Sequence, residues 1–112
     1  MKKQDTSENQ VKLAYLAIGS NLGNKLNNIE LAKLELENKK IKILKSSSIY
    51  ISKSWPDPTK PSYINVIVKA KTTLTPIELL KVCNFIELKL GRVRTTINAP
   101  RTCDIDIIDY DK

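Results

Sequence analysis

Apolar and polar positions along this chain change period several times, and each change marks an element. Leu13 to Ile18 (LAYLAI) is a short apolar run, which predicts a buried strand. Gly19-Ser20-Asn21 ends it. From about Asn24 to Asn38 the residues Leu22, Leu26, Ile29, Ala32 and Leu36 fall at helical spacing, and Leu31 and Leu34 are expected to widen that face. Ile41 to Ile51 is rich in β-branched residues and predicts a second strand. Ser54 to Pro61 carries three prolines and predicts a loop. Ser62 to Thr73 then alternates. Ile64, Val66, Val68 and Ala70 face one way, while Tyr63, Asn65, Ile67, Lys69 and Lys71 face the other. Thr75, Pro76 and Glu78 form a helix start, with an N-cap, a proline at the first helical position and the closing residue of a capping box. The core face of this helix is Leu79, Val82 or Cys83, Ile86 and Leu90, and Gly91 is a natural C-terminal cap. Cys103 to Tyr110 reads as the last strand.

The order β-α-β-β-α-β is the split βαβ pattern, so the fold class is α+β and ferredoxin-like, with a four-stranded antiparallel sheet in the order 4-1-3-2 and two helices. Residues 1–11 are expected to be a disordered tail and residues 12–112 one domain. The topology brings one edge of the sheet together. Gly19-Ser20-Asn21, Tyr50 to Trp55, Tyr63 with Asn65, and Asp104 with Asp106 should converge there.

Composition narrows the chemistry. The 112 residues are 41% hydrophobic and 28% charged, as in ordinary globular domains. No apolar run approaches a membrane span, and the polar N-terminus does not look like a secretory signal. Two cysteines without a CxxC fit a reducing, cytoplasmic setting. There is no histidine, which excludes His-based triads and His metal ligands, so a metal would be held by carboxylates and would be a hard cation such as magnesium. The net charge of +7 suggests nucleic acid, but sixteen of the nineteen basic residues are lysines scattered along the chain. The only arginines, Arg92, Arg94 and Arg101, lie within ten positions and just before Asp104 and Asp106. Arginine grips phosphate bidentately, so this grouping suits a magnesium–polyphosphate ligand better than a nucleic-acid backbone.

Asp104-Ile105-Asp106 is the sharpest feature. Residues i and i+2 of a strand share a face, so the two carboxylates project together and repel unless a cation or an arginine lies between them. Alone, the pair reads equally well as solvated acids; the arginines tip it toward a magnesium–phosphate site. Arg92 and Arg94 after Gly91 could simply complement a helix dipole, which accounts for one arginine better than for two. Asn84 and Glu87 share a helix face and, taken singly, read as solvated. Gly19-Ser20-Asn21-Leu22-Gly23 is a tight strand-to-helix turn without the Walker lysine. Tyr63 and Asn65 are either a cross-strand pair or a reader of a heterocycle's edge. Trp55 is either a loop anchor or a flat wall for a planar ligand.

Taken together, AYLAIGSNLGN (14–24), SYINVIVKAKTTLTPIELL (62–80), IELKLGRVR (86–94) and APRTCDIDIIDYD (99–111) resemble the hydroxymethyl-dihydropterin pyrophosphokinase family. The resemblance implies transfer of a diphosphate from ATP to the hydroxymethyl group of a dihydropterin, releasing AMP, with a ferredoxin-like core. It implies that Asp104 and Asp106 bind two magnesium ions that accompany ATP as co-substrate. Asn84, Glu87, Arg92, Arg94, Arg101 and Ile107 would lie at the nucleotide, with Arg92, Arg94 and Asp106 catalytic. Ser52, Lys53, Trp55, Tyr63 and Asn65 would line the pterin pocket, with Gly19 at its floor and Asp104 beside it. Small molecules rather than nucleic acid or membrane are then the partners, and the protein is expected to be a cytoplasmic monomer. The family's pattern continues past its magnesium strand, with a Pro-His segment and an Arg-x-Phe motif, and has Trp-Gly where this chain has Asn98-Ala99. Two alternatives follow, a catalytically weak or inactive ligand-binding domain and a basic ferredoxin-like RNA-binding module.

Overall fold

The computed structural model describes residues 10–91 and 102–111. Seven elements follow in order: β1 (Lys12–Ser20), α1 (Lys25–Asn38), β2 (Ile41–Ser46), β3 (Tyr50–Ser52), β4 (Tyr63–Thr72), α2 (Pro76–Lys89) and β5 (Asp104–Tyr110). All strands pair antiparallel, in the order β2-β4-β1-β5, with β3 also pairing β4. This is the expected α+β, ferredoxin-like sheet with one correction: the second strand is two. The edge strand gains an extra residue between Ile43 and Lys45 and another across Ser47–Ile49. At the second break Ser47 stays bonded to Ile67, its N–H donating to the Ile67 carbonyl while its Oγ accepts from Ile67 N, both at 2.8 Å. A serine hydroxyl thus replaces a carbonyl in the ladder. Such bulges are common at sheet edges, where they blunt pairing with other chains.

Both helices cover one face of the sheet. The core holds Ala14, Leu16 and Ile18 from β1, Ile29, Ala32 and Leu36 from α1, Val66, Val68 and Ala70 from β4, Leu79, Cys83 and Ile86 from α2, and Ile105 from β5. Leu31 and Leu34 do not join it. Leu34 is 61% exposed, because at helical pitch both leucines fall on the side of α1 opposite Ile29 and Leu36. Leu22 and Leu26 are exposed as well. The start of α2 forms as its sequence dictates. Glu78 N donates to Thr75 Oγ1, and Thr75 N donates to Glu78 Oε1 at 2.8 Å. The first strand runs further than the pattern suggests, through Gly19 and Ser20, since Gly19 keeps strand partners on both sides. Of the expected disordered tail, residues 1–9 lie outside the described residues. No helix among the described residues is long and apolar enough to cross a membrane.

One buried charge holds the sheet edge to the helix layer. Glu87 is 3% exposed, and its Oε2 accepts from Ile105 N at 2.7 Å. β5 is an edge strand, so this N–H has no next strand to bond, and the carboxylate supplies the acceptor. Removing that acceptor is expected to destabilise the fold by roughly 1–3 kcal/mol. Urea unfolding of Glu87→Ala should therefore show a clear fall in midpoint; an unchanged midpoint would remove the clamp from the account.

Candidate active site

The expected convergence is visible in the register. Tyr50 pairs with Asn65, Asn65 with Gly19, and Gly19 with Asp104, so one row crosses β3, β4, β1 and β5. Asn65, Gly19 and Asp104 lie on the face away from the helices, because their neighbours Val66, Ile18 and Ile105 are in the core. Asp106 lies on that same face, in the row of Ala17 and Ile67. It is exposed, whereas Asp104 is half-buried.

Gly19 is where backbone must pass under a side chain. A Cβ there would sit 2.7 Å from Asn65 Oδ1 and 3.3 Å from Tyr63 Cδ2. Asn65 is held over it by its Nδ2, which donates to Ser52 Oγ at 3.0 Å and to the Tyr50 carbonyl at 3.4 Å. The amide oxygen is thereby fixed toward β1. Above this row, Ser52, Lys53, Ser54, Trp55, Tyr63, Asn65 and Asp104 line a cavity of about 290 Å³. Every residue the sequence placed at a pterin is on that wall except Gly19, which lies beneath Asn65. Ser54, which no motif singles out, joins them on that wall.

Trp55 is 82% exposed, so it is no anchor into the core. Its loop is tied down by polar contacts instead. Asp57 accepts from both the N–H and the hydroxyl of Thr59, and these bonds lower its pKa. The base of the loop is closed by a hydrogen bond from Ser54 Oγ to the Pro61 carbonyl. Asn21, 2% exposed, reaches both ends of it: its Nδ2 donates to Ser54 Oγ and to the Pro61 carbonyl, each at 3.1 Å. No local pattern in the sequence announces a contact between residues 33 and 40 positions apart.

The residues assigned to a nucleotide are arranged less uniformly. Asn84 is exposed on α2, while Glu87 on the same helix is buried, which corrects the reading of that pair as a solvated face. Ile107 packs against the core from β5. Arg92, Arg94 and Arg101 lie outside the described residues. Gly91 and Thr102, which flank them in sequence, come together: a Cβ on Gly91 would lie 3.7 Å from Thr102 Oγ1, two residues before Asp104.

Asp104 and Asp106 offer only carboxylate oxygens, and no group of three or more Asp, Glu, Cys or His suited to a metal exists among the described residues. That donor set fits a magnesium ion, which binds one or two carboxylates and completes its shell with water and phosphate oxygens. Cys83 is no competing ligand. Burial first, then the charges of Glu87 and Asp106, push its thiol up to about 12, so it stays protonated. A second cavity, of about 380 Å³, lies at the opposite end of the sheet between Val11, Ile41, Lys42, Lys71 and Thr72, and has neither aromatic nor paired carboxylates.

The family described as 7,8-dihydro-6-hydroxymethylpterin-pyrophosphokinase matches residues 15–111. The folic acid synthesis protein fol1 of Schizosaccharomyces pombe is 35% identical over 112 residues, 99% of this chain and 15% of that protein. The 2-amino-4-hydroxy-6-hydroxymethyldihydropteridine pyrophosphokinase of Aquifex aeolicus is 38% identical over 96 residues, and that of Bacillus subtilis 35% over 101. These cover 86% and 89% of this chain, but only 59% and 60% of the two bacterial proteins.

Proposed function

The chain belongs to the 7,8-dihydro-6-hydroxymethylpterin-pyrophosphokinase family, and from that premise we propose that it transfers the diphosphate of ATP to the hydroxymethyl group of 6-hydroxymethyl-7,8-dihydropterin. The observation that carries the reading is the cavity: β3, β4, the Trp55 loop and β5 bring aromatic, amide and carboxylate groups to one wall.

In this reading the pterin lies over Gly19 and Asn65. The Asn65 amide meets the polar edge of the heterocycle, and Trp55 and Tyr63 offer flat surfaces to its rings. Asp104 stands where the hydroxymethyl arm meets the polyphosphate. Asp104 and Asp106 would hold magnesium, which when bound neutralises phosphate charge and aligns the transferring group. Arg92, Arg94 and Arg101 are assigned to the phosphates, where their planar forks match two oxygens at once. The pterin hydroxyl oxygen bonds to the β-phosphorus as the bond from that phosphorus to the α–β bridging oxygen breaks. AMP leaves, and the hydroxyl proton passes to solvent. Positioning and charge neutralisation supply most of the catalysis in such transfers, so a site without histidine suffices.

Binding tests the reading before turnover does. Titration with the pterin should quench the fluorescence of Trp55, the only tryptophan. A base–aromatic stack contributes about 1–3 kcal/mol, so Trp55→Ala should weaken pterin binding by roughly five- to a hundredfold. Its stability should not change, because the indole is outside the core. Pterin affinity that ignores Trp55→Ala would take the cavity out of the site.

A further inference from the structure

The turn after β1 does two things at once. Gly19 lies under Asn65, and two residues later Asn21 grips both ends of the loop that carries Trp55. We infer that Asn21 is a positioning residue, whose side-chain amide holds the Trp55 loop in place as a wall of the cavity. The inference rests on reading that cavity as the pterin pocket.

The chemistry of the contact is specific to a carboxamide. Nδ2 is a double donor, and Ser54 Oγ and the Pro61 carbonyl, which accept from it, both belong to the loop. Ser54 Oγ spends its own proton on the same Pro61 carbonyl, so the three groups close a small ring. Lys25, in the first turn of α1, adds a bond from its Nζ to the Ser62 carbonyl at 2.8 Å. The turn that bears Asn21 is itself braced. Asn28 Nδ2 donates to the Leu22 carbonyl at 2.9 Å and to the buried Ser20 Oγ at 3.2 Å, and Asn24 caps α1.

The loop has little else to hold it. Trp55, Asp57 and Thr59 are exposed, and residues 56–61 contribute nothing to the core. Its two ends therefore depend on polar contacts to the turn, and a buried amide is worth more there than an exposed one. Order at the loop base is order at Lys53, Ser54 and Trp55, which line the cavity. A loop tethered before the ligand arrives need not be ordered by it, and that saving appears as affinity.

The test uses the full chain and three variants. Asn21→Asp keeps the shape but turns both donors into acceptors, Asn21→Ala removes the group, and Ser54→Ala leaves the buried residue in place but removes two bonds, the one accepted from Asn21 Nδ2 and the one donated to the Pro61 carbonyl. In the ligand-free protein, the fluorescence anisotropy decay of Trp55 should gain amplitude in its fast component in all three. The dissociation constant for the pterin should rise roughly three- to thirtyfold in the Asn21 variants, as expected for two lost hydrogen bonds. That for magnesium–ATP should stay at the wild-type value. The effects of Asn21→Ala and Ser54→Ala should fall short of additive, since they share one contact. An Asn21→Asp or Ser54→Ala protein with wild-type anisotropy would overturn the inference, as would an equal loss of ATP affinity. A wild-type chain that fails to bind the pterin would refute the reading of the cavity instead; the anisotropy, measured without ligand, still decides the tether.

Discussion

Asp106→Ala is expected to abolish most magnesium-dependent turnover, by roughly 100- to 1,000-fold, and to leave the fold intact. Two observations separate these outcomes. Asp106 is exposed on the sheet face that the helices do not cover, and its neighbours Ile105 and Ile107 carry the packing of β5. Its carboxylate therefore lies outside the apolar core. The substitution does remove one of the two carboxylates proposed to hold a hard cation, and metal stabilisation of a transferring phosphoryl group is worth several kcal/mol. Asp104→Ala should behave alike in turnover and should also weaken pterin binding, because Asp104 lines the cavity as well. In the metal-free protein, relief of the repulsion between the two carboxylates should leave the melting temperature unchanged or slightly raised. Steady-state rates across a magnesium series, with a thermal melt of each variant, provide the measurement. A variant that keeps both its rate and its magnesium dependence would return the pair to being solvated acids at a strand start.

Gly19→Ala is expected to damage the site more than its single methyl suggests. The φ of Gly19 is not positive, so the backbone does not require glycine and the effect is steric. The new Cβ would meet Asn65 Oδ1 at 2.7 Å. That oxygen ends a short side chain whose nitrogen is already tied to Ser52 and Tyr50, so it cannot swing aside without breaking those bonds. Overpacking of this kind costs about 1–3 kcal/mol. Part of that loss appears in urea unfolding, and the displaced amide should lower pterin affinity by at least roughly tenfold. Adding Asn65→Ala relieves the clash, so the double variant should regain stability over Gly19→Ala while remaining unable to bind the pterin well. If Gly19→Ala binds the pterin like the wild type, Asn65 is not the group that reads it.

Periodicity made the fold legible. Alternation in Tyr63–Thr72, the apolar run of β1 and the Thr75–Glu78 capping box each depend on neighbours in sequence, and each formed where expected. Features that depend on distant partners were not legible. The break between β2 and β3 arises because Ser47 bonds Ile67 across the sheet, and nothing in Ser47-Ser48 by itself signals a bulge. Glu87 beside Asn84 looks like a polar helix face; it is buried because an edge strand needs an acceptor. Leu31 and Leu34 are exposed because they lie out of helical phase with Ile29 and Leu36, so leucine content overstates the core face of α1. For the site, the topology brings Gly19, Asn65 and Asp104 to one sheet edge, but the row they share is set by register, and the contacts of Asn21 and Ser54 come from tertiary hydrogen bonds alone. Trp55 lines the same cavity as Asp104 because the topology brings that sheet edge together.

The activity proposed for this chain moves a diphosphate rather than a single phosphoryl group. ATP labelled in its β-phosphate discriminates directly. Incubated with the protein, magnesium and 6-hydroxymethyl-7,8-dihydropterin, the label should appear in a pterin diphosphate, with unlabelled AMP formed in equal amount and no transfer when magnesium or the pterin is left out. Label recovered in ADP, or pterin and ATP both bound with no transfer between them, would contradict the account.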